Sequence, residues 1–346
     1  MVFDGQVYTL PQLRRDLQIG PKSCRRPIAP TPPPLDEINR IIVCLYEQYG
    51  PQGPSRLRGP FAFALWDRRR GCLLLARDRF GIKPLYYTYT GSTLIFASEA
   101  KAVLAHPLIT PALNLSALPH YLTFQYFPGE ESAFANVFRL PPATCLEARD
   151  SSSVQKQEKE QGCKQNLTAT RYWRLKFNPH PPDRPLSYYV DFTKQLLKES
   201  VQLHSDTELP LGAFLSSGVD SSLIAALLTV GQGQTRTFSV NCAGGRYNEL
   251  PPAGETALLL RSIHRELEID SADFWEALPQ AIWYQDEPLA DPSAVALYLA
   301  CRLAAREVKV VLSGEGADEL FAGYTIYRQP ASLAKLLTAL VLLESP

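Results

Sequence analysis

The sequence predicts an α+β, β-rich first half followed by an α/β second half built as a doubly wound parallel sheet. Three observations predict it. Between Arg56 and Ala105, short alternating or apolar runs are separated by glycines and charged turns, the pattern of an antiparallel meander. From Leu186 onward strand-like and helix-like runs alternate, and VKVVLSG (Val308 to Gly314) is nearly all apolar, as expected of a parallel strand covered on both faces. Between the halves, about Glu147 to Thr170 is almost free of large apolar residues and cannot bury enough surface to offset its ordering entropy. The expected organisation is therefore a domain over 1–146, a polar insertion and linker over 147–185, and a ligand-binding α/β domain over 186–346.

In chain order, Leu13 to Leu17 continues a short helix and Pro27 to Pro34 forms a Pro-rich loop. A helix from about Asp36 to Tyr49 aligns Ile38, Ile41, Ile42 and Leu45 on one face. Leu57 to Trp66 and Leu73 to Ala76 read as buried strands. Arg77, Asp78 and Arg79 lie at a turn where opposite charges can pair, to hold the fold rather than to catalyse. RYWRLKF (Arg171 to Phe177) restores strand character, and Pro179 to Pro185 breaks it. The second half opens with a helix over Leu186 to Val201, then a strand carrying Leu209, Leu211, Phe214 and Leu215. A further strand spans Thr235 to Cys242, a helix Glu255 to Ile263, a short strand Leu267 to Asp270 and a helix Asp273 to Trp283. After the Val308 strand, a last helix is expected over Leu333 to Leu343.

Composition excludes several classes. Lys plus Arg and Asp plus Glu are 35 each and the net charge is zero, so there is no global electrostatic case for nucleic acid or an acidic membrane. No apolar run approaches the roughly 20 residues that span a bilayer, and the N-terminus lacks a basic-then-apolar leader. A soluble, cytoplasmic protein is expected. Seven cysteines without CxxC spacing read as reduced thiols rather than disulfides or a zinc site, and the sequon at Asn166 as incidental.

Two turns carry chemistry. The first, Ser216-Ser217-Gly218 followed by Asp220, Ser221 and Ser222, joins a strand to a helix with small residues that let backbone N–H groups approach an anion. Asp220 can then hold magnesium, which takes one or two carboxylates plus phosphate oxygens. The stretch lacks the GxxxxGK[ST] pattern, and a Ser/Gly-rich turn that binds nothing is the plain alternative. The second turn, SGEGADE, sets Glu315, Asp318 and Glu319 within one helical turn after a buried strand. Such acids could merely complement the helix dipole, at ~0.3–1 kcal/mol each. Both turns fall at carboxyl ends of strands, where doubly wound sheets bind ligands.

The first turn resembles the SGGxDS loop of the ATP pyrophosphatase (PP-loop) superfamily, with Ser217 where that loop has Gly. RLRGPFAFALWDRRRGCLLLARDRFGIKPLYY and FASEAKAVL resemble the glutamine amidotransferase domain of asparagine synthetase, an Ntn-type fold present here incompletely. SGEGADELFAGY and DEPLADPSA (Asp286 to Ala294) are similar to asparagine synthetase signatures in order and spacing. The resemblance implies an AMP-forming amidation of aspartate, through β-aspartyl-AMP, with ATP and Mg2+. It implies ATP and pyrophosphate contacts by Leu215, Ser216, Gly218, Asp220, Ser221, Ser222, Val240, Ser313 and Gly314, magnesium carboxylates at Asp220 and Asp318, and Glu315 as base on the incoming ammonia. Its partners would be aspartate, ATP and glutamine or ammonia, with a homodimer as an assembly open to it. In the family an Asn-Gly-Glu stretch binds glutamine; Asp4, Gly5 and Gln6 stand there as a degenerate counterpart, and near Glu37 to Arg40 the family's amino-group carboxylate is displaced or lost. The family's nucleophile is an N-terminal cysteine, whereas this chain begins Met1-Val2; neither it nor the family's distal lysine-bearing lobe has a counterpart here. Glutaminase activity is therefore not expected of the polypeptide as given, and little or no turnover. An inactive binding paralogue, or a relative adenylating another carboxylate as β-lactam synthetases do, are the competing readings.

Overall fold

The computed structural model describes residues 1–17, 33–91, 93–149, 167–178, 183–244, 248–288 and 290–328. They form two units: Met1–Asp183 with Ile282–Asp291, and Arg184–Ala281 with the remainder of the chain.

The first unit is built on FAFAL, whose five residues are all buried. The elements run β1 (Val2–Gly5), α1 (Leu10–Asp16), α2 (Pro33–Tyr49), a 3-10 turn (Gly50–Arg56), β2 (Phe61–Asp67), β3 (Cys72–Arg77), β4 (Tyr86–Tyr89), β5 (Leu94–Ala97), α3 (Ala100–Leu104), α4 (Leu118–Phe124), β6 (Phe138–Arg139), β7 (Thr144–Arg149) and β8 (Leu167–Arg171). Antiparallel pairing gives a sheet in the order β1-β2-β3-β7-β8 and a smaller one in the order β5-β4-β6. Alternate residues of β2 point to opposite faces. Phe61, Phe63 and Leu65 meet Ile41, Ile42 and Leu45 of α2, while Ala62 and Ala64 meet Leu85, Leu140 and Leu146. Cover on both faces explains why FAFAL shows no polar alternation.

The strand starts at Phe61 rather than Leu57, because Gly59 (φ +139°) and Pro60 turn the chain there. Trp66 is 49% exposed instead of buried. The polar join is also more ordered at its ends than its composition predicts: Glu147 to Arg149 belong to β7, Leu167 to Thr170 to β8, and the two strands pair from Thr144↔Arg171 to Ala148↔Leu167. Ladder hydrogen bonds supply order without large apolar side chains. β8 ends at Arg171, so RYWRLKF is mostly not strand; Tyr172 instead turns inward and donates its hydroxyl to Arg77 O at 2.6 Å. The Pro-rich loop up to residue 32, Cys24, Cys163, Asn166 and the bulk of the polar segment lie outside the described residues.

Arg77, Asp78 and Arg79 hold the fold, though not by pairing with one another. Asp78 accepts N–H groups from Phe61, Phe80, Ile82 and Lys83. Arg77 donates to three carbonyls, of Lys83, Leu140 and Gly81, and Arg79 to that of Ser55.

The second unit runs α5 (Leu186–Ser205), β9 (Leu211–Phe214), α6 (Val219–Gln232), β10 (Arg236–Cys242), α7 (Leu250–Leu260), β11 (Ile263–Ile269), α8 (Ser271–Gln285), α9 (Ser293–Ala304), β12 (Val310–Leu312), α10 (Ala317–Phe321) and a 3-10 turn (Thr325–Arg328); only the end of α8 counts with the first unit. The four strands are parallel, in the order β11-β10-β9-β12. Leu211, Ala213 and Leu312 pack under α5, α6 and α7. On the opposite face Phe238 meets Ala304 of α9, and Ile269 meets α8 and α9. Gly212 is what lets Phe238 lie across β9, since a β-carbon there would come within 2.8 Å of its ring.

Several boundaries moved: α5 runs on to Ser205, and the strand expected over Val308 to Gly314 is confined to Val310–Leu312 at the edge of the sheet. α7 begins at Leu250, with prolines in its first turn, where the missing N–H has no helical partner to lose. It ends at Arg261 in the left-handed region, so Ile263 opens a seven-residue strand rather than closing the helix. α9 was not among the expected elements. The helix expected over Leu333 to Leu343 lies outside the described residues. Among those described, no helix is long and apolar enough to cross a membrane.

Candidate functional site

The order β11-β10-β9-β12 reverses direction between β9 and β12, and such a switch point opens a crevice at the strands' carboxyl ends. The Ser-Ser-Gly turn leaves β9 there, and the Ser-Gly-Glu-Gly turn leaves β12. Together they border a cavity of ≈ 400 Å³.

The first turn is braced by its own serines. Ser216 and Ser221 hydroxyls lie 2.8 Å apart, and Ser216 N–H donates to Ser221 Oγ at 3.0 Å. Gly218 N–H donates to Ser216 Oγ, and Gly218 caps the start of α6. One loop donor already meets an anion: Ser217 N–H donates to Glu249 Oε2 at 3.3 Å, and Glu249 N–H is anchored on Asn241 Oδ1.

The second turn approaches the first closely. A β-carbon on Gly314 would sit 3.0 Å from Asp220 and from Ser221 N, so any side chain there would crowd the first turn. Gly316 (φ +87°) starts α10, whose first turn carries Asp318 and Glu319. Glu315 N–H donates to Ser313 Oγ at 3.1 Å. A β-carbon on Gly323 would overlap Asp318 Oδ1, so Gly323 leaves that carboxylate room. Tyr324 donates to Glu319 Oε1 at 3.3 Å; Glu319 first, with Asp318 and Glu315 behind it, pushes the phenol up.

Leu215, Ser216, Gly218, Asp220, Ser221, Val240, Ser313, Gly314, Glu315 and Asp318 all line this cavity. Ser222 does not; its hydroxyl donates to Gly218 O at 2.7 Å. Asp4, Gly5 and Gln6 lie in the other unit. Asp4 pairs with Lys83 at 3.0 Å, Gly5 (φ +133°) leaves no room for a β-carbon against Pro60, and Gln6 N–H donates to Pro60 O. Asp286 and Glu287 also belong to the first unit. Asp286 accepts from Ala100 N–H and Lys101 Nζ, both at 2.8 Å; Glu287 accepts from Ala133 N–H at 2.7 Å and pairs with Arg139 at 3.1 Å.

Sequence reasoning missed Glu249, which meets the first turn at Ser217 N–H, and, on the cavity itself, Tyr324 and the apolar wall of Phe238, Ala296, Leu297 and Ala300. The last three belong to α9, whose signal was legible as Pro292 before the continuous helix formers AVALYLACRLAA. A second, more apolar cavity of ≈ 350 Å³ adjoins the first. It is bordered by Leu197, Val201 and His204 of α5 and by Leu320 and Phe321, and it shares Asp220, Gly314 and Glu315.

The Ser, Gly and carboxylate set fits a magnesium-bound phosphate chain. Asp220 and Asp318 border one cavity with the small residues of both turns, and carboxylates beside phosphate oxygens are the donor set magnesium takes.

Comparison with known proteins gives two family matches, a glutamine amidotransferase domain over residues 1–159 and asparagine synthase over residues 193–344. The chain is 32% identical over 333 residues to the glutamine-hydrolyzing asparagine synthetase 1 of Bacillus subtilis (strain 168), covering 96% of this chain and 49% of that protein. It is 36% identical over 346 residues to a putative glutamine-hydrolyzing asparagine synthetase of Mycobacterium tuberculosis (strain ATCC 25618 / H37Rv), with the same shares. Amidase chyE of Penicillium rubens (strain ATCC 28089 / DSM 1075 / NRRL 1951 / Wisconsin 54-1255) is 31% identical over 312 residues, 83% of this chain and 43% of that one. The chain spans about half the length of the curated relatives it matches. With both halves matched in the same order, the chain belongs to the asparagine synthetase family.

Proposed function

We propose that the cavity between the two turns takes ATP with magnesium, and that the family activity it serves is amidation of aspartate to asparagine. In this reading the α-phosphate is attacked by a carboxylate, β-aspartyl-AMP forms with loss of pyrophosphate, and ammonia displaces AMP. The observation that carries it is that Asp220 and Ser221, from one turn, and Ser313, Gly314, Glu315 and Asp318, from another nearly a hundred residues on, border one cavity.

Each residue has a part. Phosphate oxygens would displace Glu249 from Ser217 N–H and the serine hydroxyls from the N–H groups of Ser216 and Gly218, while Ser222 would hold the turn through Gly218. Asp220 and Asp318 would hold magnesium, which supplies charge neutralisation for the departing pyrophosphate. Leu215, Val240 and the α9 wall would cover the adenosine. Glu315 would take the proton from the attacking nitrogen, given hydrogen-bond reach. Nitrogen from glutamine, cytoplasmic location and a homodimer are proposals carried by the family alone.

The test is calorimetric ATP binding with and without magnesium. D220N or D318N is expected to weaken magnesium-dependent binding by roughly tenfold or more, a loss of about 1.4 kcal/mol, and S222A to leave it nearly unchanged. Where turnover is seen with aspartate and ammonium, the products should be AMP and pyrophosphate. Binding indifferent to both aspartates, or release of ADP and phosphate, would overturn the reading. Amidase-named relatives at comparable identity favour keeping a second acceptor acid in the assay; pyrophosphate release with another carboxylate and none with aspartate would move the substrate and keep the ATP site.

A further inference from the structure

Away from both turns, the second unit holds a smaller cleft of ≈ 220 Å³ between β11, α8 and α9. Its floor is apolar, from Leu267 and Ile269 on the edge strand, Ala277 on α8, and Leu299 and Leu303 on α9. Its rim carries four charges. Arg302 stands in the last turn of α9 and Arg306 in the turn that follows it, and Asp273 and Glu276 stand at i and i+3 on α8.

These charges border one cleft yet do not neutralise each other. Among the described residues none of the four forms an ion pair. Arg302 only lies over the Tyr298 ring, at 5.8 Å, and Asp273 uses one carboxylate oxygen to accept Asp270 N–H at the start of α8. Asp273 and Glu276, like charges on one face of α8, repel by a few tenths of a kcal/mol. Each side of the cleft therefore presents like charge that no side chain of opposite sign neutralises among the described residues.

A ligand matching this rim needs an anionic and a cationic end. A pure anion such as phosphate would meet the two carboxylates as well as the arginines. A pure cation would meet the reverse problem. The floor between them calls for an aliphatic group, and the volume corresponds to about seven waters at ~30 Å³ each, the scale of one free amino acid. We propose that this cleft binds a small zwitterionic α-amino acid with an aliphatic side chain. Its carboxylate lies against Arg302 and Arg306, whose planar guanidinium groups suit that partner, its ammonium against Glu276 and Asp273, and its side chain on Leu267, Leu299 and Leu303. The cleft and the ATP cavity share no residue. They do share α9, which lines the latter through Ala296, Leu297 and Ala300.

The test is calorimetric titration of the 346-residue chain with L-leucine. Comparison ligands are isocaproate, which lacks the ammonium, isoamylamine, which lacks the carboxylate, glycine, which lacks the side chain, and inorganic phosphate. Saturable L-leucine binding in the millimolar range or tighter is expected, weakened roughly tenfold or more in each comparison ligand and in R306Q or E276Q. Both positions are exposed, and melting curves close to the parent's check that these variants remain folded. D220N should leave L-leucine binding intact, and R306Q should leave ATP binding intact, which separates this site from the nucleotide site. Absence of saturable L-leucine binding, equal binding of isocaproate or phosphate, or full affinity in both R306Q and E276Q would overturn the proposal.

Discussion

Asp78 is 1% exposed, and its carboxylate is the acceptor for four backbone N–H groups at 2.9–3.3 Å. Bonds to a charged acceptor contribute about 1.5–3 kcal/mol each, and removing that acceptor strands several donors at once. D78A is therefore expected to cost at least about 3 kcal/mol, read as a fall in the urea midpoint of the first unit. A loss below about 1 kcal/mol would mean that water replaces the carboxylate. The serines of the nucleotide turn are local in another way. Ser216 and Ser221 bond each other, so their placement follows from spacing within six residues, and the sequence could reveal it. Asp78 could be read as structural from its turn, but not as the hub of a backbone network, because its donors come from two sides of that turn.

At the scale of elements, the turn after α8 is the clearest case of long-range order. Asp286, with its side chain 5% exposed, caps the start of α3 by accepting Ala100 N–H, and Glu287 is buried against Arg139 and Ala133 N–H. Burial raises the Glu287 carboxyl above its ordinary value, although Arg139 and the Ala133 N–H pull it down. Between the ordinary glutamate pKa and this raised one, the folded state binds more protons than the unfolded state. Glu287 therefore contributes stability that is present at low pH and is lost as pH rises through the raised value. E287Q removes this titration, so its stability should fall less steeply with pH across that window than the parent's. Urea midpoints of the first unit at a series of pH values measure the difference, and parallel slopes would rule the effect out. The DEP motif was legible in the sequence; its docking on residues some 150–190 positions earlier was not, because nothing local in DEPLADPSA encodes a distant partner.

For the whole molecule, two units with separate cores are expected to give two thermal transitions, and only the second unit contains the proposed ATP cavity. Ligand at about 100 times Kd stabilises the state it binds by about 2.7 kcal/mol. ATP with magnesium should raise one transition and leave the other in place, and D220N should abolish the shift. Equal movement of both would count against a nucleotide site confined to one unit. Much of this architecture is written in local pattern. FAFAL and the spacing of α2's isoleucines declare a buried strand and a packed helix, and SSGVDSS and SGEGADE declare strand-end turns, because burial periodicity and turn chemistry act over a few residues; VKVVLSG declares a strand, but only Val310–Leu312 pair and they form an edge strand half-buried at Val310 and Val311. Sequence also carried the family, since both halves keep their motifs in order. The tertiary structure alone decided that β9 and β12 are neighbours, which turns two motifs into one cavity. It alone added α9 as that cavity's wall, set Ser222 outside the cavity lining, seated 282–291 in the first unit and placed around one cleft four charges that form no ion pair among the described residues. Each of these depends on contacts between segments far apart in the chain, and such contacts are fixed by packing the whole, not by the preferences of any one stretch.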